Sequence, residues 1–199
     1  MKRFLLIGGL VLSFSYAGES ILAGERNMSS EVDKIRTIFD FCKKSDVEQW
    51  QEINDNVMGG RSRGEASAGK DCSLVFSGSI SLENNGGFSS IRSIPDNYGL
   101  DEYQGIRIRI KGDGRTYQFR LRTDRNFDGV AFKQAFNTIP GKWTEIELPF
   151  KQFLPTFRGK IIEDARSLEA KDIRQLGFLI SDKEEGPFSL IIDNIRAYK

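Results

Sequence analysis

The middle of the chain alternates strictly between apolar and polar residues, and this period restricts it to extended structure. Residues 105–111 read GIRIRIK and residues 117–122 read YQFRLR. Successive side chains of a β-strand point to opposite faces, so each segment predicts a strand with one apolar and one polar face. Similar runs recur between turn clusters from Ile38 onward, which is typical of an all-β sandwich.

The predicted secondary structure is mostly strands, with few short helices. No long amphipathic helix interrupts the runs, and brief helical turns are predicted at residues 150–154 and 169–174. The KGDGR stretch at residues 111–115 lies between two alternating segments and predicts a hairpin turn. The clearest predicted strands are Leu74–Leu82, Gly105–Lys111, Tyr117–Thr123, Trp143–Leu148, Leu176–Ser181 and Phe188–Ile195.

The polar faces of these strands carry both signs of charge. One sheet is predicted to have an arginine-rich outer face, with carboxylates on the following strand for cross-strand pairing. Two interpretations stay open: a solvated lattice of ion pairs, or a face that binds an anion, a sugar or a protein. The residues predicted on this face are Arg107, Arg109, Arg120 and Arg122, with Glu145 and Glu147 on the following strand.

Composition excludes several classes of function. The 199 residues suit a single domain with its own hydrophobic core. The 29 lysines and arginines nearly balance the 28 aspartates and glutamates, so no overall charge favours nucleic acid as a partner. The absence of histidine removes Ser-His-Asp and Cys-His catalysis and histidine-bound zinc.

The remaining enzyme hypothesis is a hydrolase that uses carboxylates. The sequence contains no nucleotide-binding glycine loop, no CxxC pair and no calcium-loop spacing, which predicts no cofactor and no metal. A glycosidase-like pair needs a defined separation between two carboxylates, and sequence does not set that separation. The candidates are Asp124, Asp128, Glu145 and Glu147.

The first residues have the features of a targeting segment. Two basic residues precede a short apolar run, and small residues follow at the spacing of a cleavage site. Residues 1–23 therefore predict a signal peptide and an exported protein, periplasmic or extracellular, with an uncleaved membrane anchor as the alternative. Residues 24–37 are predicted as a linker or short helix, and residues 38–199 as the folded domain.

Export would allow the two cysteines, Cys42 and Cys72, to form a disulfide. The alternation instead places Cys72 on the apolar side of its predicted strand with Leu74 and Phe76, where it would be a small buried hydrophobe. Both interpretations stay open.

Two polar segments with paired glycines differ from ordinary turns. Residues 54–62 read NDNVMGGRS and residues 84–92 read NNGGFSSIR. Paired glycines allow positive φ or close backbone approach, while Asn, Asp and Ser supply short hydrogen-bonding groups. Asp55 could accept backbone N–H groups, and Arg61 and Arg92 could each reach a carboxylate, Asp55 included. The segments predict either a structural clamp or a surface for a partner or ligand.

These segments belong to a longer series of motifs that resembles a known family. The series is FDF at residue 39, Trp50, the two glycine segments, FSG at 76, KGDGRTY at 111, LPF at 148, FRG at 157, LGFLISDK at 176 and GPFSLIIDNI at 186. It closely resembles the complex I intermediate-associated protein 30 family over about residues 38–199. The resemblance implies a galactose-binding-like jelly-roll β-sandwich of two antiparallel sheets.

The resemblance also implies a function without catalysis. Members look like chaperone-like assembly factors that bind protein partners, including membrane subunits of complex I. The alternative is an exported carbohydrate-binding module, with Trp50 or Trp143 as a stacking platform for a sugar ring. The candidate partner- or ligand-binding residues are Asn54, Asp55, Met58, Gly59, Gly60, Arg61, Ser62, Gly86, Gly87, Phe88 and Arg92, with Arg120, Arg122 and Trp143 from the strand faces.

Overall fold

The computed structural model describes residues 34–126 and 128–199, where strands and turns make up most of the backbone. One short α-helix, α1 (Lys44–Glu48), and short 3₁₀ helices at Asp55–Met58, Glu83–Asn85, Phe150–Gln152 and Ala170–Asp172 complete it. The strands are β1 (Ile35–Phe39), β2 (Trp50–Asn54), β3 (Arg63–Ala68), β4 (Leu74–Ile80), β5 (Ser89–Ser93), β6 (Gly105–Lys111), β7 (Thr116–Arg122), β8 (Ala131–Asn137), β9 (Trp143–Pro149), β10 (Leu154–Phe157), β11 (Lys160–Ile161), β12 (Gln175–Ile180) and β13 (Gly186–Tyr198).

The strands form two antiparallel sheets. Sheet 1 has the order β3-β4-β13-β6-β9, and β1 also pairs with β13. Sheet 2 has the order β11-β10-β8-β7-β12-β5-β2. The predicted all-β sandwich of two antiparallel sheets is therefore confirmed.

Aromatic side chains fill the space between the two sheets. As predicted, the apolar residues of β6 and β7 point into the space between the sheets, and they have no solvent exposure. Phe76 and Phe188 meet edge to face within sheet 1, and Phe119 and Phe178 do so within sheet 2, with ring centroids 4.8 and 5.0 Å apart. Tyr117 of sheet 2 reaches Phe188 of sheet 1 at 6.5 Å, so aromatic contacts join the sheets directly.

The prediction of a hairpin at KGDGR is wrong. β6 lies in sheet 1 and β7 in sheet 2, so residues 112–115 cross from one sheet to the other. The prediction of one arginine-rich face is wrong for the same reason. Arg107 and Arg109 lie on sheet 1, whereas Arg120 and Arg122 lie on sheet 2. Only the sheet 1 arginines face the carboxylates of β9, as the pattern predicted.

β1 begins at Ile35 and pairs with the end of β13, so the sandwich includes residues that precede position 38. The predicted signal peptide at residues 1–23, and residues 24–33 of the predicted linker, lie outside the described residues.

A disulfide joins Cys42, which follows β1, to Cys72 in the turn between β3 and β4. Cys72 is exposed and precedes the strand, so the interpretation as a buried hydrophobe is wrong. The bond closes a loop with a sequence separation of 30 residues. A closure of this length restricts the unfolded chain and thereby stabilises the fold.

Reduction of the oxidised protein is expected to lower the free energy of unfolding by about 3–4 kcal/mol. Urea unfolding with and without dithiothreitol measures the change. The double variant Cys42→Ser with Cys72→Ser is the control, because its midpoint should not respond to the reductant. Equal midpoints for oxidised and reduced wild type would contradict this prediction.

Candidate functional site: a loop clamp and an arginine groove

The carboxylate of Asp55 joins the two glycine segments. Asp55 is 1% exposed. Its Oδ1 accepts the N–H of Ser62 at 2.9 Å, and its Oδ2 accepts the N–H groups of Gly87 and Phe88 at 2.7 and 3.3 Å. We call the Asp55 carboxylate and these three amides the loop clamp. The prediction that Asp55 accepts backbone N–H groups is confirmed.

Asn54 extends the connection to the neighbouring strands. Its Oδ1 accepts the N–H of Gly64 at 3.0 Å and the hydroxyl of Ser89 at 2.7 Å, while its Nδ2 donates to the Gly64 carbonyl at 3.1 Å. One side chain thereby links β2, β3 and β5. The start of β5 is consequently held from two directions.

Two glycines are needed because the Asp55 side chain occupies the space beside them. A Cβ at Gly86 would lie 2.6 Å from Asp55 Oδ2, and a Cβ at Gly60 would collide with the same carboxylate. Gly59 and Gly87 have φ values of 87° and 116°, which side-chain-bearing residues rarely adopt. The paired glycines therefore serve the clamp itself.

At the surface, the two loops of the clamp are joined by exposed side-chain contacts. Arg61 does reach a carboxylate, but that carboxylate belongs to Glu83 rather than to Asp55. The two side chains form an exposed ion pair at 2.8 Å. Asn84 donates from its side chain to the Gly59 carbonyl at 3.2 Å, so the two loops also touch at their tips. The side chain of Met58 lies outside the described part of the structure.

The clamp positions β5, and β5 carries Arg92 to the outer face of sheet 2. There Arg92 stands opposite Gly177 of β12, and Gly177 stands opposite Arg120 of β7. One row further along, Arg122 stands opposite Gln175. Gly177 has no side chain, so a groove remains between the arginines. We call this site, lined by Arg92, Arg120, Arg122, Gln175 and Gly177, the arginine groove.

Burial and like-charge repulsion lower the pKa values of Arg92 and Arg120 in the groove. Burial first, and then the charges of Arg122 and Arg120, lower the pKa of Arg92 to about 10. The carboxylates of Asp124 and Asp128 act in the opposite direction. Burial and then Arg122 also lower the pKa of Arg120 to about 10. The groove is thus a concentration of partly desolvated positive charge.

Two groove residues, Arg120 and Gln175, have buried polar atoms without a hydrogen-bond partner among the described residues. Arg120 makes a weak contact of 3.4 Å with the Thr156 hydroxyl, and its buried Nε has no hydrogen-bond partner among the described residues. Arg122 is 8% exposed and donates to the Gly129 carbonyl at 3.1 Å. The buried Oε1 of Gln175 accepts no hydrogen bond within the same part of the chain.

The floor of the groove was missed by the sequence analysis. Gly177 lies within the predicted strand Leu176–Ser181, and Gln175 directly precedes it. A glycine inside a strand often marks a close approach by a ligand or another backbone, and that signal was present in the LGFLIS run.

Trp143 lies apart from the groove, on the outer face of sheet 1. The residue is 36% exposed, and two cations lie near its ring, Arg109 at 4.7 Å and Lys111 at 5.2 Å from the centroid. Trp50 is 5% exposed and packs against Phe178, with centroids 5.7 Å apart. The hypothesis that Trp50 is a sugar platform is therefore wrong.

The four candidate carboxylates of a hydrolase are divided between the sheets. Glu145 and Glu147 both pair with Arg107 on sheet 1, whereas Asp124 and Asp128 follow β7 of sheet 2. The hydrogen bond from Arg158 lowers the pKa of Asp128. A glycosidase acid needs a raised pKa, so Asp128 has the wrong electrostatic environment for that role.

Residues 34–126 and 128–199 contain no group of three or more Cys, Asp or Glu side chains arranged to hold a metal ion. No helix in residues 34–126 or 128–199 has the length and apolarity needed to cross a membrane.

The fold places this chain among the jelly-roll β-sandwiches. A family 11 carbohydrate-binding module from Clostridium thermocellum, solved with a mixed-linked tetrasaccharide, superposes with a TM-score of 0.63. The two share 18% sequence identity over 83% of this chain and 95% of that module. At this identity the likeness shows the fold alone.

The sequence comparison defines the family. Residues 39–192 match the family model of complex I intermediate-associated protein 30, and the chain belongs to that family. The mitochondrial complex I intermediate-associated protein 30 of Mus musculus is 27% identical over 84% of this chain and 57% of its own length. The mitochondrial protein of the same name from Neurospora crassa is 26% identical over 61% of this chain and 50% of its own length. The chain thus spans about half the length of these two curated relatives.

The expectation of an exported, periplasmic or extracellular protein is wrong. The curated relatives from mouse and Neurospora crassa are named as mitochondrial proteins. The prediction rested on the pattern of the first residues alone, and basic residues before a short apolar run do not specify one destination.

Proposed function

We propose that this protein is a non-catalytic assembly factor that binds subunits of respiratory complex I while the complex is incomplete. The observation that carries the proposal is the family match over residues 39–192. The names of the mouse and Neurospora crassa relatives support it. Because the chain covers only part of those relatives, the assembly role and the partners are transferred to it as a proposal.

The chemistry of the chain is consistent with binding rather than turnover. It contains no histidine, and the carboxylates once considered for hydrolysis are paired with arginines or divided between two sheets. We place the contact with partners on sheet 2, around the arginine groove and the exposed rim of the loop clamp at Arg61 and Asn84. The backbone of the two loops is held by the hydrogen bonds of Asp55, which lowers the entropic cost of binding.

The sugar-binding alternative has less support. The likeness to the carbohydrate-binding module concerns the fold alone, Trp50 is buried, and the exposed ring of Trp143 already has two cations near it, at 4.7 and 5.2 Å from its centroid.

Deletion of the gene in the native organism is expected to reduce fully assembled complex I and to increase its subcomplexes. Native gel electrophoresis with an activity stain for complex I measures both. Crosslinking followed by mass spectrometry should capture complex I subunits on the wild-type protein. Normal assembly after deletion, together with no captured subunit, would refute the proposed function.

Complementation with variants then tests the contact surface. Arg120→Gln is expected to restore assembly several-fold less well than wild type if sheet 2 is the contact face. Arg109→Gln is the matched control, because Arg109 lies on the outer face of sheet 1 and pairs with Asp193 at 3.0 Å. Equal rescue by both variants would place the contact elsewhere.

A further inference from the structure

The edge of sheet 1 at β9 is open to a further strand. Sheet 1 ends at β9, which pairs with β6 on its inner side. The N–H of Phe150 donates to the Gln104 carbonyl at 2.9 Å, and this bond sets the phase of the β6–β9 ladder. In an antiparallel pair, the backbone groups of successive residues point alternately toward and away from the neighbouring strand. The N–H and C=O groups of Trp143, Glu145 and Glu147 therefore point away from β6.

Two observations support this assignment of the outward groups. Pro149 has the same phase as these residues, and a proline, which has no N–H, is tolerated in a strand where that group would face outward. Within the described ranges, no residue forms a hydrogen bond with the outward backbone groups of Trp143, Glu145 and Glu147. β9 therefore presents a row of donors and acceptors that a neighbouring strand could bind.

The other edge of sheet 1, at β3, is covered. There the N–H groups of Gly64 and Ala66 donate to the side chains of Asn54 and Glu52, at 3.0 and 3.1 Å. Asn54 also donates to the Gly64 carbonyl at 3.1 Å. Side chains of β2 thus occupy the positions that an added strand would take at β3. Of the two edges of sheet 1 in the described structure, β9 is the open one.

The charge of β9 indicates which kind of strand fits beside it. The side chains of Glu145 and Glu147 are 46% and 56% exposed. Both pair with the one guanidinium of Arg107, at 3.5 and 2.5 Å. The neighbouring Arg109 pairs with Asp193 instead. Two carboxylates that share one cation leave one negative charge in excess, so the edge favours a basic partner.

The same charges act against a second copy of this chain as the added strand. A symmetric antiparallel pair of β9 strands centred on Ile146 places Glu145 of one copy opposite Glu147 of the other. A pair centred on either glutamate places it opposite the same residue of the other copy. Like charges directly opposite each other destabilise a sheet, whereas opposite charges stabilise it.

We propose that β9 is the acceptor edge for an extended basic segment of another protein, which adds to sheet 1 as a further strand. The outward backbone groups of β9 bind the main chain of that segment. Glu145 and Glu147 bind lysine or arginine side chains spaced two residues apart, and the residue between them packs on the partly buried Ile146. This edge belongs to sheet 1, so the inference does not depend on the sheet 2 contact or on a role in complex I assembly.

The probe is a synthetic peptide of seven residues, the length of β9, in which lysine alternates with threonine. It is titrated into isotopically labelled protein, and amide exchange is followed by NMR. Exchange is expected to slow at Trp143, Glu145 and Glu147, because the peptide gives their N–H groups acceptors. The same peptide with glutamate in place of lysine should not bind. A lysine peptide N-methylated at its lysines keeps its charge but loses main-chain donors, and it should bind much more weakly.

Variants separate main-chain pairing from attraction between charges alone. Glu145→Gln with Glu147→Gln should weaken binding of the lysine peptide roughly tenfold, because two cross-strand charge pairs are lost. Glu65→Gln is the matched control, since Glu65 is an exposed glutamate of β3 at the covered edge, and it should bind as wild type does. Glu145→Pro removes an outward donor without removing a bond to β6, and it should abolish binding.

Four results would overturn the proposal. The first is no binding of the lysine peptide, and the second is binding that leaves exchange at the three outward amides unchanged. The third is equal binding by the N-methylated peptide or by the double glutamine variant. The fourth is a dimer of the wild-type protein in which the same three amides are protected without peptide, which would make a second copy the occupant. The double glutamine variant keeps the test decisive if Glu145→Pro fails to fold.

Discussion

Replacement of Asp55 by alanine is expected to lower the free energy of unfolding by about 3–5 kcal/mol, because three backbone N–H groups lose their acceptor together. The carboxylate is 1% exposed, so water cannot easily replace it. Asp55→Asn should cost about 2 kcal/mol, since the amide keeps one acceptor oxygen but turns its NH₂ toward a backbone donor. Since a domain is commonly stable by only about 5–15 kcal/mol, this loss would be a large fraction of the total stability.

Urea unfolding measures these losses, and hydrogen exchange shows where they act. In Asp55→Asn, exchange should accelerate first at the amides of Ser62, Gly87 and Phe88. Arg61→Gln is the control within the same loops, because it removes only the exposed Arg61–Glu83 pair and should leave the midpoint unchanged. If Asp55→Asn and Arg61→Gln had equal stability, the clamp would not hold the loops.

Local pattern was sufficient to predict strands β4, β6, β7, β9, β12 and β13 and the inner faces of β6 and β7. Alternation in residues 105–111 gives β6 its observed bounds, and the apolar members of β7 are buried as predicted. The reason is that side-chain direction in a strand depends only on position along the chain. The short, polar strands were not predicted, because β3 (Arg63–Ala68) and β5 (Ser89–Ser93) contain few apolar residues.

Assignment of strands to sheets could not be predicted in the same way. A turn between two alternating segments looks the same whether it joins neighbours in one sheet or crosses to the other. At KGDGR the difference lies in distant contacts: Arg115 binds Asp182, and Asp113 accepts from the N–H of Ser189. These partners lie up to 76 residues away, beyond the reach of any local pattern.

The candidate site was predicted in part for a related reason. The role of Asp55 follows from its neighbours in sequence, and it was identified. The arginine groove depends on the placement of Gly177 between β5 and β7, which the order of strands in sheet 2 decides. The sequence therefore predicts Arg120 and Arg122 as candidates, but it places them on the same sheet as Arg107 and Arg109, whereas the structure places them on sheet 2 beside Arg92.

Replacement of Arg115 by methionine is expected to lower the free energy of unfolding by about 3–4 kcal/mol. The Arg115 side chain is 9% exposed and that of Asp182 is 8% exposed. The guanidinium donates to both carboxylate oxygens, at 2.8 and 2.6 Å, and also to the carbonyls of Gly186 and Pro187 at 3.2 and 3.1 Å. Methionine leaves the carboxylate and these carbonyls without their donor.

A double variant separates the ion pair from general packing. Arg115→Met with Asp182→Leu should be more stable than Arg115→Met alone, because it removes the unpaired carboxylate as well. Arg158→Met is the control, since its pair with Asp128 is exposed and its midpoint should equal that of wild type. A double variant less stable than Arg115→Met would mean that packing, rather than the unpaired charge, causes the loss.

The pH dependence of the same variant provides a second test with a definite sign. Burial acts to raise the pKa of Asp182, but the hydrogen bond and charge of Arg115 and the amide of Glu184 outweigh it and hold the pKa below its usual value. A lowered carboxylate pKa contributes stability that is present at neutral pH and is lost as the pH falls through the folded-state pKa. In Arg115→Met the carboxylate of Asp182 has no cation beside it. Its protonation therefore removes an unpaired buried charge and stabilises the variant, whereas in wild type protonation breaks the ion pair and lowers the free energy of unfolding. The stability difference between the two proteins should therefore be largest near pH 7 and shrink toward about pH 3, and a difference that stays constant over this range would contradict the role of the ion pair.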